Sequence, residues 1–360
     1  MNIHDIMQSL VEQEGSDIHI AVGTPPTIRV DGVLSPVPNA PILGAAECEA
    51  LIHPILTQEQ KDYVGVNKEL DFGYQFKEYG RFRVNVYHSK NAMAAALRLI
   101  PSKVKSLEDL HLPEIFKDFT MFKQGLVLIT GPTGEGKATS LAAMIDRINQ
   151  TRAEHILTIE DPIEFMYTPA KSVISQREIN QDTHGWDIAL KSVLREDPDV
   201  VLIGEMRDYE TIASAITIAE TGHLVFATLH TASAAQTIDR IIDVFPAHQQ
   251  GQIRQQLAAT LKVVASQRLL PKTSGGRVAA LEIMVANPAI RNLIREDKVA
   301  QMYSIMQTNQ ARGMHTLDKN LAELLAEKLI DEETALSVAS NKEFFCKQLH
   351  GKNEPKELGR

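Results

Sequence analysis

Cysteine and long apolar runs are scarce in this chain of 360 residues, and each shortage excludes a class of protein. The two cysteines, Cys48 and Cys346, lie far apart and outside any CxxC or His-paired pattern, so neither a disulfide framework nor a zinc site is supported. Acidic residues interrupt the N-terminus from Asp5 onward, which argues against a signal peptide, and no run of about eighteen apolar residues occurs. We therefore expect a protein of the reducing cytoplasm that reaches a membrane only through a partner.

An excess of basic residues is also missing. The formal net charge is -9, whereas neutralisation of nucleic-acid phosphates requires clustered Lys and Arg, so we expect no direct contact with nucleic acid. The composition, 44% hydrophobic and 23% charged, is that of a globular protein long enough for two or more hydrophobic cores.

The N-terminal part predicts a small α/β domain over residues 1–100. Apolar residues recur at helical spacing over residues 3–11, and the pattern then changes to alternation, which is typical of strands. The alternating segments are 17–20, 27–33, 81–87 and 94–100, although the Ala-rich part of the last segment also fits a helix. Residues 101–113 are polar with a proline at each end, which predicts a linker.

The remaining residues, 114–360, predict a second α/β domain. Short apolar strands alternate with longer helical patterns, as in a parallel sheet covered by helices. From about residue 246 the periodicity is almost wholly helical, and residues 351–360 are expected to be disordered.

A glycine-rich loop, GPTGEGK over residues 131–137, follows an apolar strand at 126–129 and precedes a helical pattern at 141–148. Glycines let successive N–H groups point into one concavity, and the next helix directs its positive end there, which suits a polyphosphate. Lys137 would supply a charge for the β and γ phosphates. This context favours an ATP site over a chance glycine-rich turn. The nucleotide-binding candidates are Thr133, Gly134, Glu135, Gly136, Lys137, Ala138 and Thr139.

Two positions depart from the P-loop pattern. Ala138 stands where a Ser or Thr hydroxyl normally holds Mg²⁺, and a methyl group cannot bind a metal. Thr139 is the next hydroxyl, but one helical step turns its side chain by about 100°. Glu135 adds an anion to a phosphate loop unless it faces solvent. These departures leave phosphate binding intact but put magnesium placement in question.

Acidic residues follow two later strands. Glu160 and Glu164 lie at the end of a strand predicted at 156–159, and they either act on the attacking water or form a solvated acidic turn. Four apolar residues, Val200–Ile203, precede Glu205 in a Walker B pattern. Glu205 is therefore the candidate that organises Mg²⁺ and water.

Two histidines and three arginines complete the set of candidates. His223 and His230 bracket a buried-looking strand, and each is either structural, a sensor of the γ phosphate or a bridge to a neighbouring subunit. Three arginines are either sheet-edge cations or phosphate ligands, namely Arg81, Arg83 and Arg98.

Taken together, these segments resemble the secretion-type ATPases of bacterial type IV pilus systems, in particular the retraction branch. The resemblance extends over nearly the whole chain and includes GSDIHI, GPTGEGKAT, TIEDPIEF, REDPDVVLIGEMRD, AETGHLVFATLHT and AIRNLIRE. It implies a PAS-like N-terminal domain and a RecA-like ATPase domain that bind ATP and Mg²⁺. It also implies a homohexamer at the cytoplasmic face of the inner membrane, acting on a pilus platform protein and alongside a possible second retraction ATPase.

The resemblance also assigns roles by position. Glu164 corresponds to the family's general base, Glu205 to its Walker B acid, and His223 and His230 to its histidine pair, while the three arginines fall where N-terminal-domain arginines approach nucleotide. Assembly ATPases and type II secretion ATPases commonly carry a tetracysteine zinc insertion, which two isolated cysteines do not match. Two hypotheses remain: an active motor, or a nucleotide-binding ring subunit that hydrolyses poorly because of Ala138.

Overall fold

The computed structural model describes residues 1–30, 32–76, 80–100, 104–310, 313–340, 342 and 345. Cys346, the start of the predicted linker at 101–103 and the expected disorder at 351–360 lie outside these residues. Contacts between Cα atoms divide the chain into two compact units. Unit 1 comprises Met1–Val104, Glu160–Thr168 and Gln176–Gly185, and unit 2 comprises Lys105–Ile159, Pro169–Ser175 and Trp186–Arg360.

Unit 1 contains a six-stranded sheet of order β3-β2-β1-β6-β5-β4, in which every neighbouring pair of strands is antiparallel. The predicted α/β character of this region is confirmed, and the Ala-rich segment is a strand rather than a helix. The helix at the N-terminus begins with a capping box at Asn2 and buries one apolar face. The elements are α1 (Ile3–Glu12), β1 (Asp17–Ile20), β2 (Thr27–Val30), β3 (Val33–Pro36), α2 (Ala45–Ile52), a 3-10 turn (His53–Ile55), α3 (Gln58–Asn67), β4 (Glu69–Phe76), β5 (Gly80–Ser89) and β6 (Ala92–Ile100).

The second sheet has seven strands in the order β13-β12-β7-β11-β10-β8-β9. Its centre is parallel, and fully buried apolar strands such as β7 and β11 explain the unbroken hydrophobic runs of the sequence. The elements as far as α9 are α4 (Ile115–Phe119), β7 (Gly125–Thr130), α5 (Lys137–Thr151), β8 (His155–Glu160), β9 (Val173–Glu178), α6 (Trp186–Val193), β10 (Val200–Ile203), α7 (Tyr209–Glu220), β11 (Leu224–Leu229), α8 (Ala234–Asp243) and α9 (Ala247–Thr260).

The expectation of an almost wholly helical region from residue 246 is wrong over residues 261–285. Two long strands occupy this stretch, β12 (Leu261–Pro271) and β13 (Arg277–Val285), and β12 pairs in parallel with β7. Both strands are largely buried, so their apolar residues lack the polar alternation that marks a half-exposed strand. The elements that follow are α10 (Pro288–Arg295), a 3-10 turn (Val299–Gln301), α11 (Met302–Thr308), α12 (Leu317–Ala326) and α13 (Glu332–Val338).

Within the described residues, the one cysteine and the helices give simple results. Cys48 is buried and unbonded, and no helix within the described ranges is long and apolar enough to cross a bilayer.

Candidate nucleotide site

The glycine-rich loop connects β7 to α5, as the sequence predicted. Gly131, Gly134 and Gly136 all have positive φ, which is the conformation that lets the loop turn its amides inward. The side chain of Lys137 folds back over the loop, and its Nζ donates to the carbonyl oxygens of Gly131 at 2.6 Å and Pro132 at 2.9 Å. The ammonium group therefore stands over the loop, where a phosphate anion would meet it.

Strand order brings a second and a third group to the same edge of the sheet. Strands β7, β11 and β10 are parallel neighbours, so the segments at their carboxyl ends lie side by side. These segments carry Lys137, His230 and Glu205 respectively.

His230 connects the loop to Glu205. Its Nδ1 lies 3.3 Å from Lys137 Nζ and 3.4 Å from Thr133 Oγ1, while its Nε2 lies 2.8 Å from Glu205 Oε1. Because an ammonium group only donates, Nδ1 accepts and Nε2 carries the proton that is donated to the carboxylate. A hydrogen-bonded chain thus extends from Lys137 through His230 to Glu205.

Glu205 is held in its ionised form. Partial burial raises the pKa of its carboxyl group, but the hydrogen bond from Arg207 and the neighbouring His230 outweigh burial, and the net pKa is lowered. The Arg207 guanidinium lies 2.7 Å from Glu205 Oε2. Arg207 was not among the sequence candidates, although its position two residues after the acid was visible in the sequence.

Residues of strand β12 hydrogen-bond to the glycine-rich loop and to the start of α5. Gln267 donates from Nε2 to the carbonyl oxygen of Glu135 at 2.6 Å, and its Oε1 accepts from the Ser140 hydroxyl at 2.8 Å. The Glu135 carboxylate accepts from the Leu269 N–H and lies 3.6 Å from the Arg268 guanidinium. The interpretation of Glu135 as a solvent-facing residue is therefore wrong, since its charge is directed onto β12. Sequence reasoning missed this support because it read β12 as helix.

The oxygen ligands for a Mg²⁺ ion are few. Ala138 offers a methyl group, which leaves the Thr139 hydroxyl and the Glu205 carboxylate as the candidates. No cluster of three or more His, Cys, Asp or Glu side chains that could hold a metal exists in the described part of the chain. Such a set fits a Mg²⁺ ion bound chiefly by nucleotide phosphates and water, since this ion keeps several waters and needs only one or two carboxylates.

The second candidate histidine, His223, lies at the opposite end of β11 from His230. His223 precedes β11, whereas His230 follows it, so six residues of extended strand, roughly 20 Å, separate the two. Its Nδ1 lies 3.1 Å from both Thr221 Oγ1 and the Ile218 carbonyl oxygen. Within one chain, His223 therefore does not reach the glycine-rich loop, and the expectations that remain for it are a structural role and a contact with a neighbouring subunit.

The two remaining acidic candidates, Glu160 and Glu164, belong to unit 1. Glu160 is buried at the end of β8, and one of its carboxylate oxygens accepts from the N–H of Glu164 at 3.3 Å. Their catalytic roles stay predictions.

The three arginines each have a carboxylate partner within unit 1. Arg98 binds Asp17 at 2.9 Å and Arg83 binds Asp71 at 2.6 Å. The hydrogen bond to Asp71 raises the pKa of Arg83, and Glu164 adds to this effect. Any role as a phosphate ligand stays a prediction.

Arg81 is the most enclosed of the three. It binds the buried carboxylate of Glu178 at 2.6 Å, and Glu178 also accepts from the N–H groups of Gly73 at 2.8 Å and Ile163 at 3.2 Å. This buried network joins β4, β5 and the acidic segment. Glu178 carries no sequence signal, because only the folded unit brings it to Arg81.

Comparisons with known proteins show what this chain as a whole is similar to. Residues 1–335 match the family model described as "Type II/IV secretion system protein". The chain is 50% identical over 345 residues to "Type IV pilus retractation ATPase PilT" of Pseudomonas aeruginosa, covering 96% of this chain and 100% of that protein. It is 49% identical to a "Twitching motility protein" of Neisseria gonorrhoeae, covering 93% of this chain and 89% of that protein. The "Crystal Structure of the Pilus Retraction Motor PilT and Bound ADP" superposes with a TM-score of 0.89 at 43% identity, covering 96% of this chain and 98% of the other.

Proposed function

The chain belongs to the Type II/IV secretion system protein family, and we propose that it is an ATP-hydrolysing motor that powers type IV pilus retraction and twitching motility. The observation that carries the proposal is the hydrogen-bonded chain of Lys137, His230 and Glu205 at the carboxyl ends of three adjacent parallel strands. The similarity to a pilus retraction ATPase along almost the full length of both proteins supports the choice of pilus retraction as the work performed.

The geometry indicates how binding of the nucleotide would change the contacts within the site. The β and γ phosphates would take over the Lys137 ammonium from the Gly131 and Pro132 carbonyl groups, and the loop amides would surround them. Because Lys137 also contacts His230, its movement would release the imidazole and change the environment of Glu205.

Two further features of the chemistry are proposals. A bound Mg²⁺ ion would neutralise developing charge on the phosphates, with Thr139 and Glu205 nearest to hold it through its waters. Glu164 is proposed as the general base that orients or deprotonates the attacking water.

The proposed assembly is a homohexamer at the cytoplasmic face of the inner membrane. In it, this chain would pass the motion on to a membrane platform protein that removes pilin subunits, and a second retraction ATPase is a candidate partner. His223, which does not reach the loop of its own chain, is proposed to contact the neighbouring subunit.

Steady-state phosphate release from Mg-ATP by the full-length protein tests the motor. We expect turnover in the wild type and its loss in Lys137→Ala and in Glu164→Gln. Lys123→Ala is the matched control, because Lys123 is an exposed lysine paired with Glu154 and is not part of the loop. In a strain without its own retraction ATPase, the wild type should restore twitching and Lys137→Ala should not. Wild-type protein that binds nucleotide but releases no phosphate would refute the motor.

The second candidate function is a nucleotide-binding ring subunit with weak or no hydrolysis, and Ala138 is the observation that favours it. Ala138→Ser restores a hydroxyl at this position and separates the two candidates. A large rise in turnover from a near-zero wild-type value would favour the scaffold, whereas substantial wild-type turnover with little change in the variant favours the motor. ADP affinity without Mg²⁺ serves as the control and should be equal in both proteins.

A further inference from the structure

Glu282 on β13 is a buried acid that lies outside the nucleotide site. The residue is 6% exposed, and one carboxylate oxygen accepts from the N–H of Ala234 at 2.8 Å. The carboxylate also accepts from the N–H of Leu317. These two residues are the first residues of α8 and α12, so one carboxylate meets the N-terminal amides of two helices.

This carboxylate is costly to keep buried. Burial raises the pKa of Glu282, and the neighbouring Asp318 carboxylate raises it further, while the two backbone amides lower it. A glutamine would offer only one acceptor oxygen and would turn an NH₂ group towards one of the two amides. The carboxylate is therefore the side chain that satisfies both helix starts at once.

The strand residue opposite Glu282 leads to the glycine-rich loop. Ser266 is the β12 partner of Glu282 in the antiparallel register, and its hydroxyl lies 2.7 Å from that of Thr130, the last residue of β7. The Thr237 hydroxyl of α8 lies 3.5 Å from that of Thr130, donates to the Ser233 carbonyl oxygen at 2.8 Å and accepts from the Thr231 hydroxyl at 2.7 Å. The cross-strand pair of Ser266 and Glu282 thus holds two elements. Ser266 holds β7, the strand that precedes the loop, and Glu282 holds the end of the segment that precedes α8.

That segment carries the histidine of the site. His230 is separated from Ala234 by three residues, and both ends of the intervening segment are fixed, by the threonine hydroxyls at one end and by Glu282 at the other. A shift of the α8 start would therefore move the imidazole relative to the loop.

We propose that Glu282 is a positioning residue for His230 that also ties the position of His230 to the start of α12. Through this link, movement of the C-terminal helices changes the contact of His230 with Lys137 and Glu205, and nucleotide-dependent movement of His230 is passed to the C-terminal helices. The kinetic part of this inference rests on the proposed ATPase function, whereas the structural part does not.

The test compares Glu282→Ala and Glu282→Gln with Thr316→Ala in the full-length protein. Thr316→Ala is the matched control, because it removes the N-cap of α12 without touching the start of α8. The first measurement is amide hydrogen exchange without nucleotide. We expect Glu282→Ala to accelerate exchange in residues 230–238 and in the first turn of α12, Glu282→Gln to have a smaller effect, and Thr316→Ala to act only on α12. Unchanged exchange in residues 230–238 of Glu282→Ala would overturn the proposal whether or not the protein hydrolyses ATP.

The second measurement is the dependence of phosphate release on Mg-ATP concentration. We expect Glu282→Ala to lower kcat by about tenfold to a hundredfold with KM changed by less than about twofold, because small displacements of a site group affect turnover more than ground-state binding. Glu282→Gln should recover part of kcat, and Thr316→Ala should retain wild-type kcat. An equal loss of kcat in Thr316→Ala would show that general loosening of the C-terminal helices is responsible, and would overturn the positioning role. Absence of turnover in the wild type would count against the proposed function and leave the exchange result to decide the structural link.

Discussion

At the scale of single residues, Glu135 is the clearest departure from a usual phosphate loop. Its negative charge does not oppose the phosphates, because the carboxylate accepts from the Leu269 N–H and lies beside Arg268. The Glu135 side chain therefore fixes this part of the loop to β12 and helps to pre-organise the loop amides for phosphate binding.

Replacing Glu135 tests this pre-organisation. Glu135→Ala should weaken ADP binding by about fivefold, which corresponds to the roughly 1 kcal/mol that one net hydrogen bond contributes. Glu135→Gln keeps an acceptor oxygen for the Leu269 N–H and should bind ADP nearly as well as the wild type. Fluorescence titration with a labelled ADP gives both affinities. Tighter binding in Glu135→Ala would show instead that repulsion of the phosphates dominates.

Glu205 gives a pH-dependent prediction. Its pKa is lowered in the folded protein, since Arg207 and His230 outweigh burial. A group with a depressed folded-state pKa stabilises the fold above its ordinary pKa, and this contribution disappears as the pH falls through the depressed value. The difference in unfolding free energy between wild type and Glu205→Gln should therefore be largest near neutral pH and shrink on acidification below the ordinary glutamate range. Denaturant unfolding at a series of pH values measures it, and a difference that grows on acidification would contradict the assignment.

At the scale of elements, the sequence predicted the loop well and its support poorly. The strand, glycine turn and helix at 126–148 are local in sequence, and local patterns of this kind define a P-loop with little help from the rest of the chain. The support of the loop by β12 arises from residues more than one hundred positions away, as in the contact between Gln267 and Glu135. No local pattern encodes such a pairing.

The two histidines illustrate the same limit. They are equivalent in sequence, one at each end of β11, yet only His230 follows the strand at the carboxyl edge. Strand polarity, which follows from the parallel pairing with β7, decides between them. Likewise, the pairing of Arg81 with Glu178 depends on residues almost one hundred positions apart.

The close approach of the loop to β12 yields a matched pair of glycine variants. A Cβ on Gly131 would collide with the backbone carbonyl oxygen of Gln267, whereas nothing lies within 4 Å of a Cβ on Gly134. Both residues have positive φ, so Gly134→Ala should cost roughly 1–2 kcal/mol of unfolding free energy from backbone strain alone. Gly131→Ala should cost clearly more. Denaturant unfolding of both variants measures the difference, and equal losses would mean that β12 does not confine the loop.

At the scale of the whole molecule, each of the two compact units is built from segments that are not contiguous in sequence. Residues 160–168 and 176–185 fall between elements of unit 2 but pack within unit 1. The acids predicted to act on water, Glu160 and Glu164, therefore belong to the same unit as Arg83, to which Glu164 contributes electrostatically. Sequence order alone assigned these acids to the ATPase domain, because non-local packing leaves no signature in a local pattern.

The proposed function of the whole molecule depends on the loop at residues 131–137, which is expected to bind a nucleotide through its amides and Lys137. Calorimetric titration of ADP into the full-length protein tests it most directly, with Lys123→Ala as the control for loss of a lysine. We predict saturable binding at one site per chain in the wild type and in Lys123→Ala, and binding weakened at least about tenfold in a Lys137→Ala variant of unchanged thermal stability. Well-folded wild-type protein that binds no ADP, or a Lys137→Ala variant that binds ADP as tightly as the wild type, would contradict the account.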